Sequence, residues 1–207
     1  MKLQRARILI GRSDDDADFG ARVCGALKAL EHNTLAAAPT VAGASRFQAG
    51  FQSYAAALDA VFDLEQTRMA DGRATNPRYA AVIGACDIGD MTGPAVSRAK
   101  DLLERPPGRG AATLQCATGV PPLDELIEKN IIALHQISGK WSARDHQLVA
   151  AMISDPSDAR VGDRFGKNRS QIWKRRKTLM IDSYIALRDA ILAAARLVDE
   201  AVGPPVS

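Results

Sequence analysis

Apolar positions change their period along the chain, and each period predicts a different element. Residues 5–11 (RARILIG) have a short apolar centre and predict a strand, after which Phe19, Val23, Leu27 and Leu30 recur at helical spacing within residues 16–33. Residues 35–41 predict a weak strand interrupted by Pro39, which suits a sheet edge or an irregular hairpin around residues 42–45. Residues 47–70 predict one long helix with Phe51, Tyr54, Ala55, Leu58, Phe62 and Leu64 towards its apolar side, and 71–77 a loop. Residues 79–85 (YAAVIGA) read as a buried strand. A helix over 94–104 is opened by Pro94 and ended by the prolines and glycines of 106–110, and 112–117 reads as a last strand. Strands interleaved in this way with helices predict a sheet covered on at least one face, so that residues 1–119 form an α/β sandwich within an α+β chain.

From residue 120 onward the period is helical only. Leu123, Ile127, Asn130, Leu134 and Ile137 form a seam in a connecting helix over 120–140, and Met180, Tyr184, Leu187, Ile191, Ala194, Val198 and Ala201 form another near the carboxy terminus. Such seams pack on a long helix. They would pack on each other or on the sheet, or one would build a homodimer with Asn130 fixing its register. Residues 142–153 carry a capping box, Ser142 with Asp145, and an apolar face of Leu148, Val149 and Met152. Residues 141–207 are thus expected to form an all-α domain, with a frayed tail (GPPVS).

Within that domain, residues 155–179 (DPSDARVGDRFGKNRSQIWKRRKTL) predict a helix, a tight turn and a basic helix. Asp155 is placed to cap the first, with Pro156 at its first position and Asp158 in its first turn. Gly166 ends it, and Asn168 with Gln171 reads as the cap and third residue of the second. A turn of about three residues between them is that of a helix-turn-helix. Val161 and Phe165 would meet Ile172 and Leu179, with Gly162 allowing close approach.

An apolar fraction of 46% and a charged fraction of 25% describe an ordinary globular chain, but the distribution of charge adds a partner. Residues 1–140 are net neutral, the rest carries the whole +3, and residues 160–177 set eight basic side chains against Asp163, a local +7. A field concentrated in this way attracts double-stranded DNA, with binding that falls steeply as salt rises. The expected DNA-binding set is Asn168, Arg169, Ser170, Gln171, Lys174, Arg175, Arg176 and Lys177. Gln171 would pair an adenine edge and Arg169 or Lys174 guanine acceptors, whereas Arg175, Arg176 and Lys177 would hold phosphates. Trp173 is expected to pack on the neighbouring helix, with the DNA backbone as the alternative. For the unit as a whole the alternatives are a solvated basic face and a module that binds an acidic protein.

Little else carries chemistry. Cys24, Cys86 and Cys116 are too far apart for a zinc or disulfide framework, and His32, His135 and His146 read as structural, so no catalytic residue, metal or cofactor is expected. The amino terminus is too weakly apolar for a signal peptide and no stretch approaches a membrane span, which gives a cytoplasmic expectation.

The stretches ILIGRS, AGASRFQAGFQSYAAALDAVFDL and VIGACDIGDMTGPAVSRAKDLLE, followed by the basic unit, resemble the SatD-like family of bacterial proteins along nearly the whole chain. The first three are also similar to the ferredoxin-like catalytic domain of class III nucleotidyl cyclases and GGDEF-type cyclases. That resemblance implies two metal ions held by acidic residues after the first strand and in the following hairpin. This chain departs at both places, with Arg12 at the first and Gly43, Ala44, Ser45, Arg46 and Phe47 at the second. Arginine repels the cation such a site holds, so the resemblance implies a pseudoenzyme, and Arg12 with Arg46 becomes a candidate anion-binding pair for a nucleotide phosphate. Their ordinary alternative is pairing with Asp14, Asp15, Asp16 and Asp18, a run suited to capping a helix. The same aspartates with Asp87 and Asp90 define an alternative function, a nucleotidyl-transferring enzyme with a relocated metal site. The expected function is transcriptional regulation, with the first domain as sensor or scaffold.

Overall fold

The structure is a computed structural model that describes residues 3–29, 34–73, 75, 77–105 and 113–204. Its strands β1 (Gln4–Arg12), β2 (Leu35–Val41), β3 (Arg46–Phe51), β4 (Arg78–Cys86) and β5 (Leu114–Ala117) form one mixed sheet in the order β2-β3-β1-β4-β5. β1 runs antiparallel to both β3 and β4, β2 antiparallel to β3, and β5 parallel to β4. The central β1 is apolar on both faces because both are covered. Leu9 joins Phe47, Phe51 and Tyr79 beneath helices α1 (Phe19–Ala29) and α2 (Tyr54–Ala70), while Ile8 and Ile10 join Val82 beneath α3 (Pro94–Glu104). Cys24, Cys86 and Cys116 are buried free thiols.

One expected element divides in two. Residues 47–70 are not a single helix: β3 ends at Phe51, and α2 starts at Tyr54 with the Ser53 hydroxyl accepting the Ala56 N–H at 3.1 Å. Phe47 and Phe51 lie four residues apart, which suits a helical turn, but Phe47, Ala49 and Phe51 alternate into one core face as a strand requires. β2 does lie at the sheet edge, and its pairing is irregular around Pro39. The readings at His32, residues 106–110, Ala112 and the last three residues of the tail fall outside the described residues.

The remaining chain is helical: α4 (Pro121–Ser138), α5 (His146–Ser154), α6 (Asp158–Phe165), α7 (Arg169–Thr178) and α8 (Ile181–Val202). α8 packs along α4 and α2, and α5 also packs on α2. One apolar cluster therefore runs from Leu9 and Phe47 through Leu58 and Val61 to Ile127, Met152, Ile191 and Val198. Both long seams are used inside the chain, and the Asn130 amide donates to its own helix at Leu126 O, 2.8 Å away. The far end of α8 returns to the sheet. Asp199 accepts the Tyr54 and Ala55 N–H groups at 2.8 and 3.0 Å, capping α2, and lies 3.5 Å from the buried Arg7. Among the described residues no helix is long and apolar enough to cross a membrane.

Candidate nucleic-acid interface

The basic segment folds through local capping chemistry. Asp155, expected as a helix cap, instead closes α5; its carboxylate accepts the Ser157 N–H at 2.8 Å and the Arg160 guanidinium at 2.6 and 2.7 Å. The hydrogen bond from Arg160, assisted by the Ser157 N–H, holds its carboxyl down at about 2. Ser157 is thereby fixed in extended backbone and caps α6, two residues later than expected. Gly166 closes α6 in the left-handed region, at φ 62°. The Lys167 N–H then returns to Gly162 O at 2.9 Å, and a Cβ on Gly162 would collide with the Lys167 carbonyl oxygen. Asn168 and Gln171 form the complete reciprocal box: Asn168 Oδ1 accepts the Gln171 N–H at 2.9 Å, and Gln171 Oε1 accepts the Asn168 N–H at 3.0 Å.

α7 has two faces of different chemistry. Ile172 and the following Leu179 are buried with Val161, while Phe165 packs at the margin. Arg176 shares this inward face. It is only 7% exposed and donates to Met152 O at 3.0 Å, Asp155 O at 3.1 Å and the Asp158 carboxylate at 2.8 Å. The expectation that it holds a phosphate is therefore corrected: Arg176 ties the end of α5 and the start of α6 to α7. Its spacing four residues after Ile172 carried that signal.

The outward stripe consists of Arg169, Ser170, Trp173, Lys174 and Lys177, all exposed. Trp173 is 52% exposed, against the expectation of core packing, because Ile172 takes the buried position beside it. Lys177 is occupied by Asp182 at 2.7 Å, and Arg175 forms an ion pair with Asp145. Burial pushes the Asp145 carboxyl up, but hydrogen bonds from Ser142 and Arg175 together hold it below its ordinary value. Lys167, Arg169 and Lys174 have no carboxylate partner among the described residues. Beside the start of α7, Arg144, Lys167, Gln171 and Arg175 border a depression of about 510 Å³. Lys167 and Arg144 were absent from the expected set. Lys167 could have been found as a basic residue within the turn, whereas Arg144 depends on how α5 meets α7, which no local pattern carries.

Arg12 and Arg46 are register partners on neighbouring strands, and Arg78 stands opposite Arg12 on the other side. Three guanidinium groups thus line the end of three strands. Carboxylates already engage them: Glu104 lies 2.9 Å from Arg12 and 2.8 Å from Arg46, and Asp14 lies 2.8 Å from Arg12 and 3.6 Å from Arg78. The hydrogen bond from Arg12, with Arg46 beside it, holds the Glu104 carboxyl below its usual range. Asp16 pairs with Arg22, and Asp87 accepts the Gly89 N–H at 3.2 Å. Among the described residues, no group of three or more His, Cys, Asp or Glu side chains is arranged to hold a metal ion. No family model, curated protein or solved structure matches the chain.

Proposed function

We propose that the chain is a DNA-binding transcriptional regulator of the SatD-like kind, in which α6 and α7 act as a helix-turn-helix and the sheet half is a non-catalytic sensor or scaffold. The observation that carries this reading is the division of α7. Ile172 and Arg176 fasten the helix from within, while Arg169 and Lys174 stand on its outer face with uncompensated charge. On this reading the outer stripe enters the major groove, where Arg169 and Lys174 reach guanine acceptors and Trp173 lies against sugar or a thymine methyl. Lys167 and Arg175, at the turn and the depression beside it, hold backbone phosphates. Gln171 contributes to base reading only through the amide group left over from its cap. The connectivity and order of β1 to β4, with α1 and α2 on one face, support a ferredoxin-like first half. An anionic ligand there would engage Arg12 and Arg46 by displacing Glu104.

The test is binding to genomic fragments, including the region upstream of the chain's own gene, at low and near-physiological salt. Selective binding that survives the higher salt is expected. Binding that is equal for all fragments and vanishes with salt removes the regulator reading and leaves only a basic surface.

A further inference from the structure

A cleft of about 530 Å³ opens between the sheet half and the helical half, and no residue of α6 or α7 lines it. Its walls are Phe62 of α2, Leu134 of α4, Trp141 between α4 and α5, and Tyr184 of α8; the Trp141 and Tyr184 rings lie 4.9 Å apart between centroids, tilted by 51°. The polar lining is self-compensated. Glu65 lies 2.9 Å from Arg68 and accepts the Tyr79 hydroxyl at 3.1 Å, so a charged ligand would find no unmatched countercharge. Two imidazoles complete the lining. His135 Nε2 lies 2.8 Å from the Thr113 hydroxyl, whereas His146 Nδ1 is buried without a hydrogen-bond partner among the described residues. Burial, reinforced by the Arg68 charge, lowers the pKa of both rings, so that each is neutral near pH 7.

We propose that this cleft is a binding site for a neutral, planar aromatic compound of two or three fused rings carrying a hydroxyl group, its rings against Trp141 and Tyr184 and its hydroxyl on an imidazole of the lining. The volume falls in the ordinary range for small-molecule sites, in which apolar walls supply affinity and a few polar groups fix orientation. Trp141 and Tyr184 already pack on each other, so a further ring would meet the side of this pair that faces the cleft, in offset or edge-to-face contact. The site is also connected to the basic unit. The Trp141 indole N–H donates to Leu179 O at 2.9 Å, and Leu179 is the residue that closes α7. A ligand that displaces the indole therefore moves the end of α7. This coupling rests on the DNA-binding reading, while the binding of the ligand does not.

The probe is 2-naphthol, titrated calorimetrically into the full chain carrying Trp173→Phe, which leaves Trp141 as the only tryptophan of the two. Saturable binding with quenching of Trp141 emission is expected, and binding should weaken at least about threefold for naphthalene, which lacks the hydroxyl. Ser138→Phe, at a half-buried position of the lining, should abolish it. Absence of saturable binding, or equal affinity for naphthalene and 2-naphthol, would overturn the proposal; the naphthalene comparison decides even where Ser138→Phe fails to fold. Saturating 2-naphthol should then shift affinity for a DNA fragment. An unchanged DNA affinity with 2-naphthol binding intact overturns the coupling alone, and failure of all DNA binding overturns the regulator reading while the site stands.

Discussion

Arg176 and Lys177 are adjacent in a basic run, yet one is a buried fastener and the other a solvated cation paired at 2.7 Å with Asp182. Removing Arg176 leaves Asp158 and two carbonyls without their donor, so Arg176→Ala should lose roughly 3 kcal/mol of stability. Lys177→Ala should stay within about 0.5 kcal/mol, both measured by urea unfolding. The charge count could not separate the two, but helical spacing from Ile172 could. The same spacing places Trp173 outside, and its hydrophobicity was the misleading signal. Lys167→Ala with Arg175→Ala should flatten the slope of log affinity against log salt by roughly 2 units, whereas Arg169→Ala and Lys174→Ala on the outer stripe should each change sequence preference by about 1 to 3 kcal/mol, both read from binding titrations on matched and altered fragments. At the end of the sheet, Glu104→Gln frees Arg46 and leaves Arg12 paired with Asp14 alone, and should raise affinity for triphosphate severalfold by calorimetry. An unchanged affinity would leave those arginines as an ion-paired surface.

At the scale of elements, legibility followed how local the signal was. The Asn168–Gln171 box was readable because both partners lie within one turn, and α3 was readable from Pro94 at its start. The Asp155 cap was displaced to Ser157 because a carboxylate that accepts the Ser157 N–H leaves Ser157 itself to open α6. β3 was hidden by a spacing of two phenylalanines that satisfies strand and helix alike. The turn between α6 and α7 depends on two glycines for different reasons. Gly166→Ala pays for a left-handed backbone and should cost about 1 kcal/mol, whereas Gly162→Ala drives a Cβ into the Lys167 carbonyl of the turn and should cost more, in the range of about 1 to 3 kcal/mol. Asn168→Ala should cost about 1 kcal/mol through the lost cap. Chemical denaturation of the three variants orders them.

For the whole molecule, periodicity identified which residues face inward but not which surface they meet. The seams of α4 and α8 were legible; that they join α2 in one continuous core was not, because the contacts span the chain. The junction also titrates. His135 and His146 have pKa values below the ordinary 6.5, so the unfolded chain binds more protons as the medium is acidified. Their contribution to stability is full above pH 6.5 and is lost as pH falls below it, and the unfolding midpoint should drop between pH 7 and 5 by less in a His135→Gln variant.

The bond between the two extremes of the fold has a consequence for synthesis. Arg7 is made before its partners and is buried at 1% exposure beside Asp199 and beside the carbonyl of Gly203, the latter 196 residues distant along the chain. On the ribosome, β1 can join the sheet while its guanidinium still lacks that carboxylate, and α2 lacks the carboxylate that caps its first turn. A nascent chain stopped before residue 199 thus lacks the cap on α2 and the segment that covers Arg7, which leaves this end of the sheet half less stable and such a product easier for proteases to remove.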